Sequence, residues 1–205
     1  MYGKVLIFIT CCETFRITEC GCYRRLKKCY YRQQEIYLEW GATMSEGQLR
    51  QLSIAVGHKL KEHGAWVTCA ESCTGGWVAK ALTDIAGSSA YFDRGFVTYS
   101  NAAKQDLLGV SETTLARYGA VSEAVVREMA LGALKQANAD FAVSISGIAG
   151  PDGGSADKPV GTVWFGFISR EGPISARKKH FSGDRDSVRL QAAVFALQTL
   201  FDDFL

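Results

Sequence analysis

The feature that most constrains this fold is a regular alternation of helical and strand patterns from residue 45 onward. Apolar residues at helical spacing mark four helices, and short runs rich in β-branched and aromatic residues lie between them. The helical stripes cover Leu49–Leu60, Val78–Ile85, Val125–Ala133 and Leu190–Phe204, and the predicted strands cover 65–70, 95–99, 141–146, 160–169 and 174–181. Because a helix that follows a strand returns the chain to its starting edge, this alternation indicates parallel strand pairs.

Glycine and serine residues mark the predicted helix ends. Gly64 follows the first stripe and Gly87 closes the second, while Ser122 stands where the third helix needs an N-cap. The last two strands are typical of an antiparallel hairpin that turns at 171–173. The sequence therefore predicts an α/β fold with three layers, α/β/α, and a mixed, mostly parallel sheet in a single domain over residues 44–205.

The first 43 residues differ in composition from the rest of the chain. They hold five of the seven cysteines, and 7 Lys and Arg residues against 4 Asp and Glu, without a sustained helical or strand period. Cys20, Cys22 and Cys29 could be zinc ligands, but their spacing lacks the paired C-x₂-C knuckles of zinc ribbons. The pattern favours the alternative that Met44 is the natural start and that residues 1–43 are upstream DNA read as coding sequence.

Charge and hydropathy exclude several classes of partner. The net charge is only +2, which gives no reason to expect a surface for nucleic acid. The longest strongly apolar run, Val5–Ile9, is much shorter than the roughly 18 residues of a membrane span, and too short for a signal-peptide core. The sequence therefore predicts a cytoplasmic protein without a membrane or nucleic-acid partner.

Polar residues follow two of the predicted strands, at the sheet edge where α/β proteins bind ligands. The loop Glu71–Gly76 contains Ser72 and Thr74 before two glycines, which let the backbone approach an anion or a developing oxyanion. The next loop runs from Tyr99 to Lys104 at a helix start, where the helix dipole favours the neutral, basic form of a lysine. The alternatives without a chemical role are that Ser72 or Thr74 only caps a helix and that Lys104 is solvated.

A third candidate combines the glycine-rich segment 147–154 with Arg185 at the start of the last helix. A cation is unfavourable at a helix N-terminus unless an anion lies nearby, so this placement favours an anionic ligand. Asp184 and Asp186 could instead neutralise Arg185, and the glycine run could be an ordinary surface turn.

Several common catalytic motifs are missing from the sequence. There is no Gly-Lys-Ser/Thr of a P-loop and no Gly-x-Ser-x-Gly elbow, and Ser72 does not begin a Ser-x-x-Lys motif. Of the three histidines, only His180 could serve a Ser-His-Asp triad, and Cys69 and Cys73 lack the second cysteine pair of a zinc deaminase. A serine nucleophile whose base is a lysine distant in sequence stays open.

Six segments together resemble the CinA C-terminal domain family, in order and in spacing. They are Ala70–Gly76, Tyr99–Lys104, Gly119–Ser122, Ser146–Gly154, Lys158–Val163 and Phe181–Arg185. The resemblance runs from about Met44 to the end of the chain. It implies hydrolysis of the carboxamide of nicotinamide mononucleotide to nicotinate mononucleotide and ammonia, as part of pyridine nucleotide recycling. Longer members with an additional N-terminal domain carry the name competence/damage-inducible.

The resemblance also implies roles for particular residues. Ser72 matches the family's proposed nucleophile, and Lys104 would accept its proton either directly or through Tyr99. Backbone amides around Thr74–Gly76 would hold the oxyanion, and the glycine-rich loop and Arg185 would hold the ribose and the phosphate. The implied substrate-binding residues are Thr74, Gly75, Gly76, Gly147, Gly150 and Arg185.

The resemblance implies no metal and no organic cofactor, and it implies a homo-oligomer, which we expect to be a dimer. Three alternatives remain. One is a non-catalytic module that binds a nucleotide in competence or the DNA-damage response, which would leave Ser72, Tyr99 and Lys104 without a shared role. A second is an amidase that acts on a different small amide. The third, ranked last, is a zinc-dependent or redox protein built on the N-terminal cysteines.

Overall fold

The computed structural model describes residues 45–205. The helices are α1 Glu46–His63, α2 Trp77–Thr83, α3 Asn101–Leu108, α4 Glu112–Tyr118, α5 Glu123–Ala137 and α6 Arg185–Phe204. The strands are β1 Val67–Glu71, β2 Phe96–Val97, β3 Phe141–Gly147, β4 Thr162–Ser169 and β5 Ser175–His180. The extension, the zinc alternative and the natural start at Met44 concern residues outside this described range, and they stay predictions.

The five strands form one mixed sheet in the order β2-β1-β3-β4-β5. β1 pairs in parallel with both β2 and β3, whereas β4 is antiparallel to β3 and β5 is antiparallel to β4. Two successive reversals give β5 the direction of β3, so four of the five strands point the same way. This arrangement confirms the predicted mixed, mostly parallel sheet and the final hairpin.

Helices cover both faces of the sheet, and the alternation of side chains along β4 shows why. Phe165 and Phe167 point to the face of α6, where the ring of Phe165 lies 4.7 Å from that of Phe195. Ile168 points to the opposite face and belongs to the buried cluster that includes Met129 of α5. Neighbouring residues of a strand face opposite sides, so each helix layer buries its own set of apolar side chains. The three-layer prediction is confirmed.

Capping residues define most helix ends as predicted. Gly64 ends α1 in the left-handed conformation, with φ 61°. Ser122 begins α5, where its side chain accepts a hydrogen bond from the amide of Val125. A left-handed residue terminates the helical hydrogen-bond ladder, and an N-cap oxygen satisfies an amide that has no partner within the helix.

Three local predictions were wrong. The second helix ends at Thr83 rather than at Gly87, because Ile85 already bonds to the carbonyl three residues back. β2 has only two residues instead of the five predicted. Helix α4 was missed because Leu115 is its only buried residue, so it shows no apolar stripe in the sequence. In the part of the chain that the structure describes, no helix is both long and apolar enough to cross a membrane.

The close approach of α5 to the end of α3 yields a stability prediction. A Cβ placed on Gly132 would overlap the backbone carbonyl of Leu108, so Gly132→Ala should destabilise the fold by about 1–3 kcal/mol although alanine favours helices. The matched control is Gly47→Ala at an exposed position of α1, where the added methyl meets nothing closer than 3.6 Å. Chemical denaturation should show that Gly47→Ala leaves the free energy of unfolding unchanged or raises it slightly. Equal effects of the two variants would contradict the packing argument.

Candidate active site

Four loops meet at one edge of the sheet, because β1, β2, β3 and β5 all end there. The loop after β1 carries Ser72, and the loop after β2 carries Tyr99. The loop after β3 contains Gly150, and the loop after β5 leads into Arg185 at the start of α6. Ligands of open α/β sheets bind at this edge, and the structure gathers the predicted site residues there.

Lys104 is the central side chain of the site. Its Nζ lies 3.1 Å from Ser72 Oγ and donates a hydrogen bond to the carbonyl of Thr98 at 2.7 Å. Ser100 caps α3 by accepting from the amide of Ala103, and this cap fixes the first turn of the helix from which Lys104 projects. Lys104 is only 1% exposed, so the alternative of a solvated lysine is wrong.

The amine of Lys104 is buried without a counter-charge. Among residues 45–205 no carboxylate forms an ion pair with it. Burial lowers the pKa of Lys104 below its ordinary value of 10.5, and the smaller opposing influence comes from Cys73. A lower pKa means that more of the amine is neutral near pH 7, and a neutral amine has the lone pair that can accept a proton from a hydroxyl.

Glu71 anchors the loop that carries Ser72, and this role was not foreseen from the sequence. Its fully buried carboxylate accepts hydrogen bonds from the amides of Gly76, Val78 and Ala79 at 3.0, 3.1 and 2.8 Å. A carboxylate is favourable at a helix N-terminus, because the unpaired amides there carry partial positive charge. The available signal was an acidic residue that ends a buried strand just before a glycine-rich helix start.

The two glycines of the loop have a conformational role. Gly75 and Gly76 adopt φ of +62° and +95°, values that residues other than glycine rarely adopt. Their amides are already in use, since Gly75 donates to the carbonyl of Ser72 at 3.1 Å and Gly76 donates to Glu71. The expectation that these two amides are open to an oxyanion therefore does not fit this geometry.

The structure also decides between capping and a chemical role for the loop hydroxyls. The N-cap of helix α2 is Gly76, and the side chain that accepts from the first amides of the helix is that of Glu71, so neither Ser72 nor Thr74 has the capping role considered above. Thr74 is fully buried, and its hydroxyl has no partner among the described residues. Two amides of the loop, those of Cys73 and Thr74, donate to no carbonyl or carboxylate within residues 45–205, and the amide of Cys73 directly follows Ser72.

The thiol of Cys73 is not a competing nucleophile. Cys73 is 6% exposed, and burial raises the pKa of its thiol to about 12. A thiol reacts as its thiolate, which is almost absent near neutral pH at such a pKa. The hydroxyl of Ser72 beside Lys104 is the better candidate.

Tyr99 contacts Arg185 rather than Ser72 or Lys104. Arg185 donates from Nη2 to Tyr99 Oη at 3.0 Å and from Nη1 to the carbonyl of Gly150 at 2.8 Å. Tyr99 is 62% exposed. In the described part of the chain, the direct contact of Lys104 with Ser72 therefore replaces the expected alternative of a proton path through Tyr99.

Arg185 is not neutralised by the two aspartates that flank it. Asp184 caps α6 by accepting from the amide of Ser187, and Asp186 pairs with Arg189 at 3.3 Å. Neither forms an ion pair with Arg185 within residues 45–205, so its guanidinium keeps N–H groups for an anionic ligand.

Arg189 is a second site residue that the sequence analysis missed. Its Nε donates to the carbonyl of Cys73 at 3.2 Å and its Nη2 donates to that of Thr74 at 3.0 Å. The guanidinium also lies over the ring of Trp77, 5.1 Å from its centroid. The available signal was its position four residues after Arg185, which places both arginines on the same side of α6.

Gly147 and Gly150 allow the loop after β3 to pack closely. A Cβ on Gly147 would come within 2.7 Å of the Val163 side chain, and Gly150 has φ +84°. Direct contact of these glycines with substrate stays a prediction. Within residues 45–205 no group of three or more His, Cys, Asp or Glu side chains is arranged to hold a metal ion.

The fold and the site define an α/β protein with a serine–lysine pair at the carboxyl ends of its parallel strands. The family model of the CinA C-terminal domain matches residues 49–204. The protein therefore belongs to the CinA C-terminal domain family, and the resemblance inferred from its motifs is confirmed.

Curated relatives and solved structures agree with this assignment. The nicotinamide-nucleotide amidohydrolases PncC of Enterobacter agglomerans and Escherichia coli K12 are 70% and 67% identical over 162 residues, which cover 79% of this chain and 99% and 98% of those proteins. The crystal structure of the competence/damage inducible protein CihA from Agrobacterium tumefaciens has a TM-score of 0.75 at 45% identity, and the match covers 78% of this chain and 97% of that one. A CinA-like protein of Geobacter sulfurreducens is longer, and this chain covers 36% of it at 52% identity.

The buried, unpaired amine of Lys104 should cost stability. Its pKa is lowered by folding, so the unfolded chain binds the proton more tightly and the stability of the protein should rise with pH through this window. Lys104→Met removes the charge but keeps the chain length, and it should raise Tm at pH 7 by at least about 2 °C. The gain should shrink as the pH approaches 10.5.

The control for this comparison is Lys135→Met, which removes an exposed lysine of α5. Thermal unfolding of both variants and the wild type at pH 7 and pH 10 provides the measurement. If Lys104→Met lowered Tm at pH 7, the amine would contribute net stability, and its assignment as an unpaired, neutral-leaning base would be wrong.

Proposed function

We propose that this protein hydrolyses the carboxamide of nicotinamide mononucleotide to nicotinate mononucleotide and ammonia, with Ser72 as nucleophile and Lys104 as base. The observation that carries the proposal is the distance of 3.1 Å between Lys104 Nζ and Ser72 Oγ at the ligand-binding edge of the sheet. The names of the PncC relatives, at 67–70% identity over nearly their whole length, support the substrate.

In the first half of the reaction, Ser72 Oγ attacks the carboxamide carbon while neutral Lys104 accepts the hydroxyl proton. The carbonyl of Thr98 accepts one N–H of Lys104 at 2.7 Å and so orients the amine. The protonated amine then gives the same proton to the carboxamide nitrogen, the C–N bond breaks and ammonia leaves. Ser72 remains joined to the nicotinoyl group by an ester bond.

In the second half, Lys104 is neutral again and accepts a proton from water as the water oxygen attacks the ester. The C–O bond to Ser72 breaks, and Lys104 returns the proton to Ser72 Oγ. One water is consumed and one ammonia released for each turnover, and the enzyme ends in its starting state.

The oxyanion that forms in both halves needs a hydrogen-bond donor close to Ser72. The amide of Cys73 is suited to this role, because the amide of the residue after the nucleophile is the usual donor at a strand-to-helix turn. One such donor typically contributes about 10²–10³-fold to kcat. The amides of Gly75 and Gly76 contribute indirectly, since their own hydrogen bonds fix the turn.

The exposed half of the site suits the nucleotide part of the substrate. Arg185 connects the loops after β2 and β3 through Tyr99 and Gly150, and its remaining N–H groups would bind the 5′-phosphate. Tyr99 offers an exposed ring and hydroxyl beside that arginine. Thr74 belongs to the turn and is fully buried, so its side chain would stabilise the turn.

Four further expectations stay predictions: a homodimer, the absence of a nucleic-acid partner, a cytoplasmic location, and catalysis without metal or organic cofactor. The non-catalytic nucleotide-binding module is the alternative that the next experiment separates from the amidase.

Ser72→Ala should reduce ammonia release from nicotinamide mononucleotide to background, because no other group in the site can form the ester. Mass spectrometry of acid-quenched wild-type protein during turnover should detect an adduct on the peptide that contains Ser72. Ser89→Ala, an exposed serine outside the site, should leave the rate unchanged. Binding of the nucleotide by the wild type without any turnover would instead favour the non-catalytic module.

Arg185→Ala should raise KM for nicotinamide mononucleotide by about 10- to 100-fold, because a charge-assisted hydrogen bond contributes about 1.5–3 kcal/mol. The same variant should scarcely change kcat/KM for nicotinamide riboside, which has no phosphate. Steady-state kinetics with both substrates provide the test. Equal losses with both would argue that Arg185 does not recognise the phosphate, and that a different small amide is the natural substrate.

A further inference from the structure

The turn after β1, residues 72–76, is held on the side that faces α6 by the guanidinium of Arg189. Arg189 donates to two consecutive carbonyls, those of Cys73 and Thr74, at 3.2 and 3.0 Å. Its remaining contacts are the ring of Trp77 and the carboxylate of Asp186. Its side chain is 25% exposed, so most of it is enclosed by the loop and the helix.

These contacts fix the direction of one particular amide. The carbonyl of Ser72, on the N-terminal side of Cys73, accepts from the amide of Gly75 at 3.1 Å. The carbonyl of Cys73, on its C-terminal side, accepts from Arg189. The N–H of Cys73 lies in the same peptide plane as the carbonyl of Ser72, and the N–H of Gly75, which bonds that carbonyl, lies in the same plane as the carbonyl of Thr74. Because Arg189 holds the carbonyl of Thr74, the direction of the Cys73 N–H is coupled to Arg189 through these two planes.

We propose that Arg189 is a positioning residue that aligns the Cys73 amide, and with it Ser72 Oγ, for the oxyanion of the reaction. The inference rests on the proposed function, because the oxyanion belongs to that chemistry. Arg189 does not touch the substrate in this account. It acts through the two carbonyls, and its effect is to keep the donor in place before the negative charge develops.

Lysine cannot replace this arginine. Different parts of the planar guanidinium contact two carbonyls, an aromatic ring and a carboxylate. The ammonium of a lysine is a compact point charge and cannot make all of these contacts. Arg189 also lies one helical turn after Arg185. Helix α6 therefore holds the turn after β1 with one arginine and the loops after β2 and β3 with the other.

The first test is the kinetics of Arg189→Lys with nicotinamide mononucleotide. We expect kcat to fall by about 10- to 100-fold, the effect of a displaced catalytic donor, while KM changes by less than about threefold. The matched control is Arg177→Lys on β5, which alters an exposed ion pair with Asp203 and should leave both constants unchanged. Thermal unfolding of all three proteins identifies any loss that is due to misfolding alone.

The second test is chemical rescue. In Arg189→Ala, added guanidinium chloride at non-denaturing concentration should raise kcat severalfold, because a free guanidinium can occupy the space between the carbonyls and Trp77. Sodium chloride at equal ionic strength should not raise it. A purely structural role for Arg189 would give no such rescue, and a KM effect without a kcat effect would place Arg189 in substrate binding instead.

A third measurement separates failure of this inference from failure of the proposed function. NMR should show that the carbonyl-carbon shift and the amide-nitrogen shift of Cys73 both move in Arg189→Lys and stay unchanged in Arg177→Lys. Unchanged shifts in Arg189→Lys overturn the positioning role, whether or not the wild type is active. An inactive wild type with the expected shifts would refute the amidase but retain the alignment of the Cys73 amide by Arg189.

Discussion

The site depends on one buried amine that has no counter-charge. Lys104 can be 1% exposed only because Ser72 Oγ and the carbonyl of Thr98 occupy its hydrogen-bonding groups. These partners come from the ends of β1 and β2, and Lys104 comes from α3. The parallel pairing of β1 with β2 is thus needed to bring the three together, although β2 has only two residues. Burial that lowers the pKa of the amine opposes stability, so the surrounding core must offset its cost.

Two opposite charges organise the turn that presents Ser72. The carboxylate of Glu71 receives amides of the loop and of the first turn of α2, and the guanidinium of Arg189 donates to the carbonyls of Cys73 and Thr74. Amides are therefore bonded on one side and carbonyls on the other. A peptide is a dipole, so this sorting fixes the turn more firmly than contacts of one sign would. The amides of Cys73 and Thr74 are left without such a partner among residues 45–205, and that of Cys73 directly follows Ser72.

The sequence predicted the parts of this structure that have local signals. The stripe of α1 and the left-handed Gly64 need only residues close in the chain, and so does the Ser122 cap. Ser72, Tyr99, Lys104 and Arg185 were identified from strand ends and family motifs. Which of these side chains contact one another was harder to predict. The hydrogen bond of Arg185 to Tyr99, for example, spans 86 residues and was not expected. Arg189 and Glu71 were missed for the same reason: their roles exist only once α6 and α2 are docked.

At this edge of the sheet a buried region adjoins a solvent-exposed region, and the proposed chemistry needs both. Lys104 and Thr74 are both buried, and burial favours the neutral form of the amine. Tyr99 is 62% exposed, and Arg185 beside it keeps N–H groups that a charged ligand can reach. A phosphate bound next to Lys104 would favour the protonated form of its amine, and the protonated amine cannot act as a base. In the proposed function, Arg185 would bind the phosphate and Lys104 would accept the proton, and the two lie on different elements of one edge. A single site could then hold a nucleotide with a dianionic phosphate and still use a neutral amine.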